Sequence, residues 1–423
     1  MNNELRLRDK AVNWHPYTQM KTAEHIIPIV SAKGVYLTDS DGKSYIDAVS
    51  SWWVTLHGHS HPYIAQKVSE QLSTLEQVIF AGFTHKPAIE LSERLLALLP
   101  NNQQKVFYTD NGSTAIEVGL KMCIQYWFNK KQKRNKVLAF KNAYHGDTFG
   151  AMSVSGRGIW TDPFGAMLFE VIFIDVPTKE NFEANKRIID QHADDIACFV
   201  YEPLVQGAAG MLMHESECLS ELMTYCRSKN VLMIQDEIFV GFGRTGKLFA
   251  ADHLTEKPDV MCFSKGLTGG TMPLGLTTCT NEIYDAFYSE EKDKALFHGH
   301  SFTASPLACT AAVASLDLLL RPETQDDIAR IVAQHKAFAD KLQQHEKVKC
   351  VRQTGTILAL EWKTGNTTSY FDDIHDRLYA YFLNKGILLR PLGNIIYLLP
   401  PYCVTNEELN HIYTTIFQAL EEV

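Results

Sequence analysis

The runs "VLMIQDE" (Val231–Glu237) and "VMCFSKG" (Val260–Gly266) decide the fold, because each is apolar for several residues and then breaks onto a charge. A short apolar run bounded by turn or helix signals reads as a buried strand. The runs "KVFYTD", "KVLAFK", "VIFID", "ACFVYEP" and "LGLTTCT" share the pattern, and helix-length amphipathic segments alternate with them from Lys105 onward. Strand–helix–strand repetition with near-continuous Val, Ile, Leu and Phe predicts an α/β chain whose mostly parallel sheet is covered on both faces. Ligands of such a sheet belong at the carboxyl ends of its strands. Asp110, Glu202, Asp236 and Lys265 end four of the runs, so these polar groups are expected to converge on one edge.

Lys265 makes the hardest physical demand. A lysine at the end of a buried strand brings a strongly hydrated ammonium against a core, which is costly unless it is paired, neutralised or covalently consumed. Asp236 stands 29 residues earlier at the end of the preceding strand. Its carboxylate needs a cation, either Arg244 in "GFGRTG" or a protonated ring nitrogen. In "YTDNGSTAIEVGLKM" (Tyr108–Met122) a strand runs through Asn111-Gly112-Ser113 straight into a helix, which aims free N–H groups and the positive helix end outward. That arrangement suits a phosphate, although Ser113 also reads as a plain N-cap. An amine, a carboxylate and a phosphate cradle in this strand order are three handles for pyridoxal phosphate.

Outside this region, an extended N-terminal arm leads to "GVYLTDSDGKSYIDAVSS", in which "DSDGK" is a hairpin signal. From Ala311 long helices precede "GTILALEW" and "GILLRPLGNIIYLLPPY", a short-strand region of a smaller α+β domain. The expected divisions are 1–55 (arm and hairpin), 56–310 (large cofactor domain) and 311–423 (C-terminal small domain).

Composition narrows the partners. The 423 residues are 45% hydrophobic with a formal net charge of -9, which fits a globular chain and argues against nucleic acid. The one basic run, "NKKQKRNK" (Asn129–Lys136), reads as a solvated connection. No signal-like h-region opens the chain and no membrane-length apolar run occurs, so a cytoplasmic location is expected. The nine cysteines lack a C-x-x-C pair and read as reduced, buried hydrophobes. His57, His59, His61, His298 and His300 have no matched carboxylate or thiolate set, so structural or pocket hydrogen bonding is expected and no metal.

The segments "DNGSTAIEVGLKM", "AYHGDTFGAMSVSG", "YEPLVQGAAGM", "QDEIFVGFGRTG", "SKGLTGGTMPLG" and "FTASPLACTAAVASL" resemble the class III aminotransferases of pyridoxal-phosphate fold type I. "WHPYTQM", "SSWWVTLHGHSHP" and "FHGHSF" resemble the branch of that family which aminates 8-amino-7-oxononanoate to 7,8-diaminononanoate in biotin biosynthesis. The resemblance implies a seven-stranded, mostly parallel sheet in a large domain, with a smaller α+β domain from both termini, and a homodimer with shared active sites. It also implies roles. Lys265 is the Schiff-base lysine and proton shuttle, Asp236 the partner of the pyridinium nitrogen, Gly112 and Ser113 part of the phosphate cup, and Tyr144 the ring-stacking aromatic. Ser301 takes the place of a threonine that reaches the neighbouring subunit's phosphate, and Ala304-Ser305-Pro306 replaces the usual Gly-Asn-Pro. Tyr17, Trp52, Trp53, Tyr144 and Gly299 are placed at the substrate, and Arg390 at its far carboxylate. Asp147, Glu202, Arg244 and Tyr397 are placed in direct contact or in support. The donor is S-adenosylmethionine or, as in some relatives, lysine. Ornithine or 4-aminobutyrate transamination, a racemase or decarboxylase on the same scaffold, and a catalytically silent cofactor-binding regulator are the alternatives.

Overall fold

The computed structural model describes residues 2–23, 26–364 and 374–423. The chain divides into two compact units, one formed by Tyr63–Val332 with Arg352–Ile357, the other by Met1–Pro62, Ala333–Val351 and Leu358–Val423.

The larger unit is built on a seven-stranded sheet in the order Gln103–Thr109, Gly275–Thr280, Val260–Phe263, Leu232–Asp236, Ile196–Tyr201, Lys136–Phe140, Val171–Ile174. All seven strands coincide with the apolar runs of the sequence. Only Gly275–Thr280 runs against its neighbours; the other pairings are parallel. Burial on both faces explains the lack of alternation: every residue of Ile196–Tyr201, Leu232–Asp236 and Val260–Phe263 is buried. The helix Gly112–Asn129 covers one face, packing Ile116, Cys123 and Trp127 on Val137, Val200, Ile234 and Cys262. It lies close because Gly119 has no side chain; a Cβ there meets Ile234, Val260 and Cys262 at 3.3 Å.

In the smaller unit the strands Tyr36–Asp39 and Ser44–Asp47 pair antiparallel, as the "DSDGK" signal predicts, with Leu37 opposite Tyr45. The turn is tied by Asp39 Oδ1, which accepts from the Asp41 and Lys43 amides at 2.9 and 3.0 Å, and Gly42 supplies the left-handed φ of +85°. Ile387–Leu388 adds to Ser44–Asp47 in parallel, and Ile357–Trp362 pairs with Ile395–Leu398.

Two sequence expectations need correction. The N-terminal arm is not extended throughout, since Asn2–Val12 is a helix, consistent with its straight-chain residues and the i,i+4 pair Glu4–Arg8. The unit edges fall at 62/63 and 332/333, where the sequence reading drew 55/56 and 310/311. The helix Pro306–Leu319 crosses the latter line and packs on Lys86–Leu98 inside the larger unit. Among the described residues no helix is long and apolar enough to cross a membrane.

Candidate active site

Sheet register assembles the acidic part of the site. Gln235 pairs with Tyr201 and Asp236 with Cys262, so Glu202 emerges level with Asp236 while Lys265 begins the turn just beyond Phe263. Asp236 is 5% exposed. Its Oδ1 accepts from the Ile238 amide at 3.0 Å and its Oδ2 stands 2.7 Å from His145 Nδ1. A carboxylate only accepts, so Nδ1 carries the hydrogen, and His145 Nε2 is left buried without a partner. Sequence reasoning had weighed Arg244 for Asp236 and did not single out His145. Arg244 is itself buried, and its carbonyl accepts from the Thr356 amide at 2.9 Å.

Lys265 opens a 3-10 turn, Lys265–Thr268, with a left-handed φ of +45°. Non-glycine residues rarely adopt that region, and strain of this kind concentrates at functional sites. Its Nζ lies 5.7 Å from the Phe239 ring centroid. Burial pushes its ammonium down to about 8, while the Asp236 and Glu202 charges pull the other way. Burial likewise pushes the Glu202 carboxyl up to about 7, the Asp236 charge adding to the rise and His145 with the Tyr144 and Gly207 amides opposing it. The two shifts agree: a carboxylate pair and an amine share a water-poor space in which each charge depends on the others.

One segment, Tyr144–Asp147, ties these groups together. The Tyr144 amide donates to Glu202 Oε2 at 3.0 Å and its hydroxyl to Asp147 Oδ2 at 3.1 Å. His145 holds Asp236, and the Asp147 amide donates to Ser113 Oγ at 3.2 Å. Gly146, at φ +134°, lets the segment pass, since a Cβ there lies 2.1 Å from Ser113 Oγ. The helix itself is capped by Asn111, whose side chain accepts from the Thr114 amide at 3.0 Å, so Ser113 sits inside the first turn and is not the cap. Gly112 faces Ile238, which a Cβ there would meet at 3.0 Å, a tight contact. The first amides of a helix have no partner within it.

The remaining expected residues fall into two groups. In the smaller unit Tyr17 packs edge-on against Trp52 at 5.7 Å, and the Arg390 guanidinium lies 5.1 Å over the Trp52 ring. Trp53 turns inward and gives its indole N–H to the Tyr397 hydroxyl at 3.0 Å, so the tandem tryptophans divide into one exposed and one buried ring. A run of left-handed residues, Ser50, Ser51 and Trp53, enforces that division. In the larger unit Gly299 and Ser301 are exposed, and Ser301 O accepts from Gln77 Nε2 at 2.7 Å. Among the described residues neither makes a hydrogen bond to the Lys265 cluster. Asp110, the fourth strand-end group, is half exposed and bonds Thr114 Oγ1. Of the histidines, His59 meets Asp47 at 2.9 Å and His298 meets Lys121 at 3.2 Å.

The donor set fits a planar heterocycle carrying an aldehyde and a phosphate. Lys265 offers an amine easily made neutral, Asp236 a carboxylate fixed in two directions, and Gly112–Ser113 a helix start whose first amides have no partner within the helix.

The family model described as Aminotransferase class-III matches residues 17–420. The chain is 46% identical over 420 residues to the adenosylmethionine-8-amino-7-oxononanoate aminotransferase of Synechococcus elongatus, an alignment covering 97% of this chain and 98% of the relative. A crystal structure bearing the same enzyme name, from Methanocaldococcus jannaschii, matches with a TM-score of 0.96 and 34% identity over 100% of this chain and 99% of that one. An (S)-enantioselective omega-transaminase from Thermomicrobium roseum matches with a TM-score of 0.94 and 28% identity, covering 99% of this chain and 98% of that one.

Proposed function

The chain belongs to the class III aminotransferase family, and on that footing we propose that it is a pyridoxal-5'-phosphate-dependent aminotransferase converting 8-amino-7-oxononanoate to 7,8-diaminononanoate in biotin biosynthesis, with S-adenosylmethionine as donor. The observation that carries the reading is the placement of Lys265 against Asp236 and Glu202 by sheet register, with Tyr144–Asp147 binding that group to Ser113. The shared name of the full-length relatives supports the substrate.

When bound, the cofactor supplies an aldehyde for the amino group and a ring that stores the charge left when the α-proton departs. Lys265 is assigned to hold the aldehyde, and then, as a free neutral amine, to carry the proton from the substrate carbon. Its depressed ammonium serves both tasks. Asp236, oriented by His145, keeps a proton on the ring nitrogen. Gly112, Ser113 and, across a dimer, Ser301 are assigned to the phosphate, and Tyr144 to the ring face.

We assign Tyr17, Trp52 and Gly299 to the substrate and Arg390 to its far carboxylate, a planar guanidinium suiting bidentate contact. Trp53 and Tyr397, buried against one another, position Trp52. Asp147 and Glu202 position Tyr144, and Arg244 supports from the interior. A homodimer is supported by the exposed apolar side chains Ile79, Phe83, Phe297 and Phe302, which lie in the two sequence stretches that the Gln77–Ser301 bond joins. A cytoplasmic location accompanies this reading.

The test is to supply holoenzyme with 8-amino-7-oxononanoate and either S-adenosylmethionine or lysine. Diamine product with S-adenosylmethionine is expected; product only with lysine changes the donor. Turnover of ornithine or 4-aminobutyrate with a keto acid, and none of 8-amino-7-oxononanoate, overturns the substrate assignment.

A further inference from the structure

The turn that parts Trp52 from Trp53 is held by the carboxylate of Asp47. Ser50–Trp53 is not a regular helical turn, since Ser51 stands at φ 60°, ψ -92° and Trp52 at φ -125°, ψ 57°. A residue with a side chain keeps a conformation like that of Ser51 only where its surroundings over-determine it. Asp47, fully buried at the end of Ser44–Asp47, does so. Its Oδ2 accepts from the Ser51 amide at 2.6 Å and from the Ser51 hydroxyl at 3.1 Å, and its Oδ1 from the Val49 amide at 3.2 Å.

A further donor comes from outside the turn. His59 Nε2 lies 2.9 Å from Asp47 Oδ2, and since a carboxylate only accepts, Nε2 bears the hydrogen. The His59 backbone is itself fixed, its amide donating to Gly34 O at 2.7 Å and its carbonyl accepting from the Gly34 amide at 3.2 Å. On the other side Ser50 Oγ donates to Leu399 O at 2.7 Å. All these groups lie in the smaller unit, as do Tyr17, Trp52 and Arg390. A buried carboxylate pays heavily for a lost donor, so the turn and the histidine depend on one another.

We propose that Asp47, braced by His59, is a positioning residue for the substrate: it locks Ser51 in its left-handed conformation and so holds the Trp52 ring outward, against Tyr17 and beneath the Arg390 guanidinium. This role rests on the substrate reading given above for Tyr17, Trp52 and Arg390. It passes through Trp52.

Two measurements on the holoenzyme test the turn and the substrate separately. Without substrate, iodide quenching of tryptophan fluorescence, compared between each protein and its Trp52→Phe counterpart, reports the surroundings of Trp52. That contribution is expected to change in His59→Phe, which removes the donor, and to match wild type in His59→Gln, whose amide donates to the same oxygen. With 8-amino-7-oxononanoate, His59→Phe and Asp47→Asn are expected to raise KM about tenfold, with kcat held within about threefold and the visible absorbance of the bound cofactor unchanged. In a Trp52→Ala background His59→Phe is expected to add nothing, because its effect runs through that ring. Wild-type quenching in His59→Phe, a His59→Gln variant as impaired as His59→Phe, or an equal rise in KM with Trp52 present and absent overturns the proposal. A wild type with the expected quenching pattern that does not turn over 8-amino-7-oxononanoate overturns the substrate reading instead.

Discussion

At Lys265 the competition between burial and two nearby carboxyls ends with the ammonium near 8, well under the ordinary 10.5. A lowered lysine value means the amine is protonated and unreactive below about 8 and neutral above it. Attachment of pyridoxal phosphate to apoprotein is therefore predicted to quicken as pH rises through about 8 and then level off, whereas an unperturbed lysine keeps gaining until about 10.4. Stopped-flow absorbance reads the rate directly. A rate that climbs steadily past that range contradicts the burial argument. The place of Lys265 just past a buried strand, near Asp236 and Glu202, was legible in the sequence because a charge closing an apolar run stands out. His145 was not, since its part depends on which strand lies beside which, and the residue spacing from His145 to Asp236 carries no trace of their 2.7 Å contact.

Among the elements, the Tyr144–Asp147 segment joins three groups with backbone amides and short side chains. Its weak point is Gly146, where φ is +134° and a Cβ collides with Ser113 Oγ. Gly146→Ala is predicted to cost about 1–3 kcal/mol of stability through backbone strain and to loosen cofactor retention about tenfold. Gly165→Ala, with open space around it, should change neither. Denaturant unfolding and fluorescence titration of the cofactor make the comparison; equal behaviour of the two variants refutes it. The seven strands could be read from their apolar runs because a doubly covered strand has no polar face to blur the signal. Two local features escaped. The N-terminal helix Asn2–Val12 lacks an apolar stripe, and the opposed fates of Trp52 and Trp53 rest on left-handed backbone at Ser50 and Ser51 that no propensity reveals.

For the whole molecule, the assigned roles divide between the two compact units: Lys265, Asp236 and Ser113 belong to one, and Trp52 and Arg390 to the other. Damage to each unit should separate kinetically. Arg390→Ala is predicted to raise KM for 8-amino-7-oxononanoate roughly 10–100-fold, the worth of a charged hydrogen-bonded contact, while cofactor binding stays intact. A parallel loss of cofactor in that variant speaks against the division. The interleaving of the units was only partly legible: the short-strand character of both chain ends was visible, but the return of Arg352–Ile357 to the larger unit was not. That segment is fixed by contacts remote in sequence, such as the Thr356 amide on Arg244 O.

The central claim is that one ε-amine, made available by burial between two carboxyls, carries the cofactor. Reducing the holoenzyme with borohydride and mapping its peptides by mass spectrometry tests it most directly. A single phosphopyridoxyl group on the peptide containing Lys265 is the predicted result; attachment to another lysine, or to none, would contradict it.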